Sequence, residues 1–141
     1  MSVDTNLPTP QPTLRAKRLF PLYFSPIESL FIADDRPDYP MAFIVQMTFT
    51  GMVNRAAFES ALPAALARHP LLKSHRQLAK RGLPCWVPAP DTMPFVNWGK
   101  EGDPVDLPHG ESINLEFEVG LRIWLREGSG TTMMTMQFHH S

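Results

Sequence analysis

The segment GLRIWLREGSGTTMMTMQFHHS (120–141) gives the clearest evidence of the fold, because two extended segments flank a glycine-rich turn. In LRIWLR (121–126) three aliphatic residues alternate with two arginines and a tryptophan, which is the period of a β-strand. EGSG (127–130) is a turn signal, and TTMMTMQFHH (131–140) resumes the extended pattern. Together the three pieces predict a β-hairpin that ends in two adjacent histidines.

The two terminal histidines are expected to point apart, because neighbouring side chains of a strand project to opposite faces. His140 would share a face with Phe138, and His139 would share the other with Gln137. Two histidines arranged in this way cannot readily chelate one ion. The remaining candidate ligands lack the spacing that a zinc or iron site requires; they are His69, His75, His109 and Cys85. The sequence therefore predicts no metal site.

The segment MAFIVQMTF (41–49) also alternates, which predicts a strand with one well-buried face, ended by Gly51. Asn54 is then a candidate N-cap for a helix over RAAFESALPAALARH (55–69), where apolar residues recur at three- and four-residue intervals. Pro63 either kinks this helix or lies in the first turn of a helix capped at Ser60. Pro70 marks the end of the helix.

After the helix, a second strand is predicted over Leu72 to Leu78, and a short apolar piece surrounds Trp86 and Val87. Prolines and glycines from Pro84 to Pro108 predict a long surface excursion. The order strand, helix, strand, loop and hairpin predicts a mixed α/β or α+β layer fold. Residues 1–18, with three prolines in 8–12, are interpreted as a flexible leader.

Composition excludes several classes of protein. The chain has 141 residues, 43% of them apolar, and a net charge of −1, which fits one folded domain and gives no electrostatic footprint for nucleic acid. Cys85 is the only cysteine, so no intrachain disulfide can form. The N-terminus lacks the apolar core of a signal peptide, and no apolar run is long enough to span a bilayer. These features predict a cytoplasmic protein.

Three segments together resemble the N-terminal half of the chloramphenicol-acetyltransferase-like superfamily: FSPIESLFIADDRPDYPMAFIVQMTFTG (24–51), FESALPAALARHPLLKSH (58–75) and residues 120–141. This superfamily includes nonribosomal-peptide condensation domains, wax-ester synthases and polyketide-associated acyltransferases. Its signature is His-His-x-x-x-Asp-Gly at the end of a strand. His139, His140 and Ser141 match its first three positions, and the 141 residues end before the Asp-Gly.

The resemblance implies an α/β fold of the α+β two-layer sandwich type, with a mixed sheet and helices on one face. RHPLLKS (68–74) and GLR (120–122) match further family patterns. Residues 19–141 are interpreted as a partial N-terminal acyltransferase-like lobe, truncated within the motif.

The resemblance also implies a reaction. An acyl group would pass from a thioester, on CoA or on a carrier protein's phosphopantetheine arm, to an alcohol or amine, with His140 as the general base. His139 would be structural support for the backbone. The thioester would be a co-substrate rather than a bound cofactor, and Cys85 would be a bystander because no partner base is identifiable.

Two rival interpretations remain open: a non-catalytic binding or assembly lobe of the same fold, and an unrelated small α/β binding domain. Without the rest of the motif, the 141 residues alone are expected to be inactive. The expected partners are a small-molecule acyl acceptor and an acyl or peptidyl carrier protein. The exposed hairpin edge is expected to bind either a missing C-terminal portion or a second copy of the chain.

The remaining conspicuous side chains are expected to have structural roles. The three tryptophans are predicted to lie in the core or, as the less favoured alternative, in the wall of a substrate channel: Trp86, Trp98 and Trp124. The arginines that share a strand face with Trp124 are predicted to lie on a solvated face or to form an ion pair: Arg122 and Arg126. Four acidic residues are predicted to solvate a turn-rich segment: Glu28, Asp34, Asp35 and Asp38.

Overall fold

The computed structural model describes residues 19–105, 107 and 111–141, so the predicted leader (1–18) and His109 lie outside the described residues. The strands and helices follow in the order β1 (Leu22–Tyr23), α1 (Pro26–Asp34), β2 (Ala42–Thr50), α2 (Arg55–Ala67), β3 (Ser74–Leu78), β4 (Pro84–Pro88), β5 (Phe95–Lys100), β6 (Leu121–Glu127) and β7 (Thr131–His139). Short 3-10 helices cover Pro70–Lys73 and Lys80–Gly82. In the part of the chain described here, neither α-helix has the length and hydropathy needed to cross a bilayer.

The predicted hairpin is confirmed. β6 and β7 pair antiparallel from Leu121 opposite Phe138 to Glu127 opposite Thr132. Gly130 in the turn has a φ of +75°, a conformation that glycine adopts without steric cost. The N–H of Gly51 donates to the carbonyl of Gly130 at 2.7 Å, so the turn is also tied to the end of β2.

The hairpin lies at the centre of a four-stranded sheet in the order β2-β7-β6-β5. The expectation of an exposed hairpin edge is therefore wrong, because β2 and β5 pair with its two outer sides. β5 runs parallel to β6 and the other neighbours are antiparallel, so the predicted mixed sheet is confirmed. Helix α2 packs on one face of this sheet, where Leu66 meets Leu121, Ile123 and Leu125. Leu125 is completely buried, and this cluster is the main core.

Helix α2 begins where the sequence predicts. The Asn54 side chain accepts a hydrogen bond from the N–H of Ala57 at 2.9 Å, which satisfies one of the unpaired donors of the first turn. Pro63 lies in the interior of the helix, so the alternative of a helix capped at Ser60 is wrong. The helix ends at Ala67, and Pro70 then opens a 3-10 turn that leads into β3.

A second sheet of three strands, in the order β1-β4-β3, was not predicted. Trp86 of β4 is buried against Ile113 and Leu115, and this forms a second core cluster. The prediction of a surface excursion from Pro84 to Pro108 is wrong, because β4 and β5 both lie within it. The two prolines of β4 occupy its first and last positions, so they remove no donor from the strand interior.

The tryptophan and arginine predictions have different outcomes. Trp86 and Trp124 are buried, and Trp98 packs against the main core. Arg122 has no exposed surface and forms an ion pair with Glu118 at 2.8 Å, so of the two alternatives the structural ion pair is correct. Arg126 is buried as well, and its guanidinium donates to backbone carbonyls, among them that of Asp103 at 3.2 Å.

The prediction that one face of β2 is well buried is wrong. On the face that continues the main core, Phe43, Met47 and Phe49 are 44%, 37% and 39% exposed. β2 lies at the edge of its sheet, whereas α2 packs over the β6 side. No described strand pairs with the edge of β2 that faces away from β7. Ala42–Thr50 contains no charged residue, proline or glycine that would protect this edge from pairing.

We therefore expect the chain to self-associate through the open edge of β2. Ile44 is 62% exposed on this strand, and Ile44→Lys should shift the sedimentation coefficient towards that of the monomer, because a charge on an edge strand opposes pairing. Leu83→Lys, at a residue that is 54% exposed outside any strand, is the control and should not change sedimentation. Identical sedimentation velocity profiles for Ile44→Lys and the unaltered chain would show that the edge forms no contact.

Candidate functional site

The end of β7 carries both histidines between two neighbouring strands. The N–H of His139 donates to the carbonyl of Gly120 at 3.0 Å, and the N–H of His140 donates to the carbonyl of Met41 at 2.8 Å. The two residues thus bond to opposite sides of the strand, as a central strand requires. His139 is buried, whereas His140 is exposed.

Two aromatic rings flank the imidazole of His140. The ring centroid of Phe31, from α1, lies 4.8 Å from that of His140, and the centroid of Phe43, from β2, lies 5.4 Å away in an edge arrangement. Phe43 in turn stacks on Phe138 at 5.3 Å. The His140 ring is therefore held by aromatic contacts while the residue remains open to an incoming group.

His139 has polar neighbours instead. Its Nδ1 accepts a hydrogen bond from the N–H of Ser141 at 3.1 Å and lies 2.7 Å from the Ser141 hydroxyl oxygen. Because a backbone N–H can only donate, Nδ1 must be the unprotonated nitrogen, and in the neutral ring the proton is on Nε2. Nε2 lies 3.5 Å from the Oδ2 atom of Asp35, which is a long contact with a charged acceptor.

Burial sets the protonation state of His139. Desolvation lowers the pKa of its imidazole below the ordinary value, the nearby Asp35 carboxylate opposes this shift, and the charge of His140 adds to it. The net effect of these three influences is a lowered pKa of the His139 imidazole. The His139 ring is therefore neutral at neutral pH.

Sequence reasoning missed the roles of two acidic residues, one near this site and one at the start of α1. Asp35 was predicted to solvate a turn, but its side chain is only 17% exposed and its Oδ1 atom accepts the N–H of Met41 at 2.8 Å. The prediction for Glu28 is also wrong, because its carboxylate accepts hydrogen bonds from the N–H of Ser25 at 2.7 Å and from Trp86 Nε1 at 2.9 Å. These bonds outweigh burial and lower the pKa of Glu28.

A sequence signal for the role of Glu28 does exist. Ser25 and Glu28 form a capping box at the start of α1, and the Ser-x-x-Glu spacing is readable from sequence. No comparable local pattern marks Asp35, whose partners lie further along the chain. Asp34, in contrast, is paired with Arg36 on the surface, and Asp38 is exposed, as predicted.

Two recesses elsewhere carry no catalytic grouping of their own. One, of about 240 Å³, is lined in part by Phe95, Phe117 and Leu121, and the other, of about 560 Å³, in part by Tyr23 and the buried Cys85. Neither of these two includes a residue of the histidine pair in its wall. Over residues 19–105, 107 and 111–141, no cluster of three or more histidine, cysteine or carboxylate side chains could hold a metal ion.

Comparisons with known proteins identify the fold. No protein-family model and no curated protein matches the chain. The starter condensation domain of rhizomide synthetase matches with a TM-score of 0.63 and 15% identity, over 79% of this chain and 30% of that one. The epimerization domain from the third module of tyrocidine synthetase B matches with a TM-score of 0.61 and 14% identity, over 82% of this chain and 29% of that one.

A variant of the rhizomide domain solved in complex with C8-CoA matches with a TM-score of 0.60 and 14% identity, over 79% of this chain and 28% of that one. The chain therefore has the fold of condensation domains, as the sequence predicts. It spans less than a third of the length of these three structures.

The depressed pKa of His139 predicts that the protein loses stability in acid. The unfolded chain binds a proton at a higher pH than the folded chain does, so the free energy of unfolding should fall as the pH drops from about 7 to about 5. His139→Gln should make this fall shallower. A smaller slope should remain, because burial also lowers the pKa of His75.

Urea unfolding at several pH values, followed by the fluorescence of the buried tryptophans, measures this dependence. His69→Gln, at an exposed position near the end of α2, is the matched control and should keep the original slope. If His139→Gln and the unaltered chain lost the same free energy over this interval, His139 would not be the responsible group.

Proposed function

We propose that this chain carries the general base of an acyl-transfer enzyme, and that the base is His140. The acyl group passes from a thioester to an alcohol or an amine. The observation that supports the proposal best is the exposed imidazole between Phe31 and Phe43, at the end of the central β7 strand. A histidine side chain suits this role because its ordinary pKa lies near neutrality.

The proposed reaction needs one proton acceptor and no covalent intermediate on the enzyme. A ring nitrogen of His140 takes the proton from the O–H or N–H of the acceptor as that oxygen or nitrogen attacks the thioester carbonyl. The tetrahedral intermediate then collapses, its carbon–sulfur bond breaks, and the departing thiolate takes the proton back from the imidazolium. The products are an ester or amide and a thiol, and the base is regenerated.

His139 is structural in this proposal. Its Nδ1 is already bonded to Ser141, its Nε2 faces Asp35, and its side chain is only 2% exposed, so no nitrogen is available to a substrate. The ring instead helps to fix the last residues of β7. This arrangement separates the roles of the two adjacent histidines.

The proposed donor is a thioester on CoA or on the phosphopantetheine arm of a carrier protein, and the proposed acceptor is a small molecule. The fold favours this class of donor, since the similar rhizomide domain was solved with C8-CoA. His140 lies on an open surface between α1 and β2, whereas acyl transfer requires the thioester to be held and water to be excluded. We propose that additional protein, from the rest of the gene product or from a second copy, covers the other side of the site.

The test uses the full-length gene product, with octanoyl-CoA as the donor, a panel of alcohols and amines as acceptors, and released thiol as the readout. His140→Ala should lower kcat at least tens-fold, because general-base catalysis typically contributes about 10²–10⁴ in rate. Residues 1–141 alone should show little turnover. His69→Ala, which removes an exposed histidine remote from the site, is the control and should retain kcat.

His139→Ala is the companion variant. It should lower the thermal unfolding midpoint more than His140→Ala does, while the folded enzyme keeps more of its kcat than the His140 variant. The proposal fails if His140→Ala turns over octanoyl-CoA like the unaltered enzyme. It also fails if residues 1–141 alone work as fast as the full-length protein.

A second candidate function is a non-catalytic assembly lobe, and the exposed apolar residues of β2 favour it. Ile44, Phe43 and Met47 are uncovered in the described part of the chain, and such patches are typical of protein contacts. If this candidate is correct, the full-length gene product should have no thioester turnover with any acceptor. Ile44→Lys should then abolish assembly, and His140→Ala should leave assembly unchanged.

A further inference from the structure

The ends of three elements meet at one carboxylate, that of Asp35. Asp35 is the residue that caps the C-terminal end of α1. Its Oδ1 atom accepts the N–H of Met41, directly before β2, at 2.8 Å. Its Oδ2 atom lies 3.5 Å from Nε2 of His139, the last residue of β7. One side chain thus links α1, β2 and β7.

These three elements also supply the surroundings of His140. The ring of Phe31 comes from α1 and the ring of Phe43 comes from β2, and both contact the His140 imidazole. Met41 connects Asp35 to His140. Its N–H donates to Asp35, and its carbonyl accepts the N–H of His140 at 2.8 Å. A shift of α1 relative to β2 would therefore change the position of the imidazole between the two rings.

We propose that Asp35 is a positioning residue for His140. Its Oδ2 atom, 3.5 Å from Nε2, favours the His139 tautomer that carries the proton on Nε2. Its bond to the N–H of Met41 holds the ends of α1 and β2 so that Phe31 and Phe43 flank the His140 ring. The significance for catalysis rests on the function proposed above. The geometric part of the proposal does not depend on that function.

A carboxylate is required here because both of its oxygen atoms face donors. An asparagine at position 35 offers one oxygen and one NH₂ group, so one of the two donors loses its acceptor. The N–H of Met41 cannot change its role. The His139 ring can change its role, because moving its proton from Nε2 to Nδ1 turns Nε2 into an acceptor. Nδ1 then no longer accepts the N–H of Ser141.

The neighbouring residue supplies a matched control. Asp34 is paired with Arg36 at 3.1 Å on the surface, and its side chain is 51% exposed. Asp34→Asn makes the same change of net charge one position earlier in the chain, without the contact to His139. A difference between the two variants therefore reports the contact itself.

The experiment is two-bond ¹H–¹⁵N correlation NMR of the imidazole groups in residues 1–141, recorded above neutral pH. In the unaltered chain His139 should be the Nε2–H tautomer, and the His140 ring protons should show ring-current shifts from Phe31 and Phe43. Asp35→Asn should convert His139 partly or wholly to the Nδ1–H tautomer and should reduce the ring-current shifts of His140. Asp34→Asn should leave both signals unchanged.

Two results would overturn the proposal. The first is a folded Asp35→Asn variant with the original His139 tautomer and the original His140 shifts. The second is an Nδ1–H tautomer of His139 in the unaltered chain, and this measurement decides the matter even if Asp35→Asn does not fold.

Turnover of octanoyl-CoA by the full-length gene product distinguishes this proposal from the proposed function. Asp35→Asn should lower kcat several-fold with little change in KM, because the base is misplaced rather than the donor lost. The expected NMR changes without any turnover in the unaltered enzyme would overturn the acyl-transfer function and support the positioning by Asp35. Turnover that requires His140 but is the same in Asp35→Asn would overturn the positioning alone.

Discussion

The backbone pairing of β7 with β2 on one side and β6 on the other is the constraint on which the candidate site depends. At one end of the β2–β7 pair the N–H of Gly51 bonds to Gly130, and at the other end the N–H of His140 bonds to Met41. The register between these two bonds is fixed over the whole length of β2. A slip of one residue would exchange the faces of His139 and His140, and the buried histidine would become the exposed one.

The face of the sheet that carries His139 is polar, and its burial depends on one irregular segment. Arg122 donates to the carbonyl of Ser112 and pairs with Glu118, while the Gln137 amide donates to the carbonyl of Glu111. These bonds hold residues 111–119 over the sheet and give the buried Arg122 and Gln137 side chains their partners. Loss of one partner of a buried ion pair typically costs about 3–5 kcal/mol, so this segment is strongly coupled to the hairpin.

Local patterns were sufficient to predict the strands that carry the site, but not α1, which supplies Phe31. Alternation in residues 41–49 and 121–140 predicted β2 and the hairpin, and the cap at Asn54 predicted the start of α2. The exposure of β2 could not be predicted, because the pattern shows which residues share a face but not whether another layer covers that face. The strands within Pro84–Pro108 were hidden by prolines that lie at strand ends. The contact of Asp35 with His139 joins distant parts of the chain, so no local spacing reveals it.

His140 is the accessible imidazole of the pair and His139 the buried one. Residue-resolved hydrogen–deuterium exchange at the imidazole C2 position measures this difference. The exchanged protein is digested into peptides that separate His139 from His140. Mass spectrometry of these peptides then gives an exchange rate for each ring. Exchange at His140 should be fast, comparable with that of the exposed His69, and exchange at His139 should be markedly slower. Equal protection of the two rings would contradict this expectation, because a buried His140 could not reach the proton of an incoming alcohol or amine.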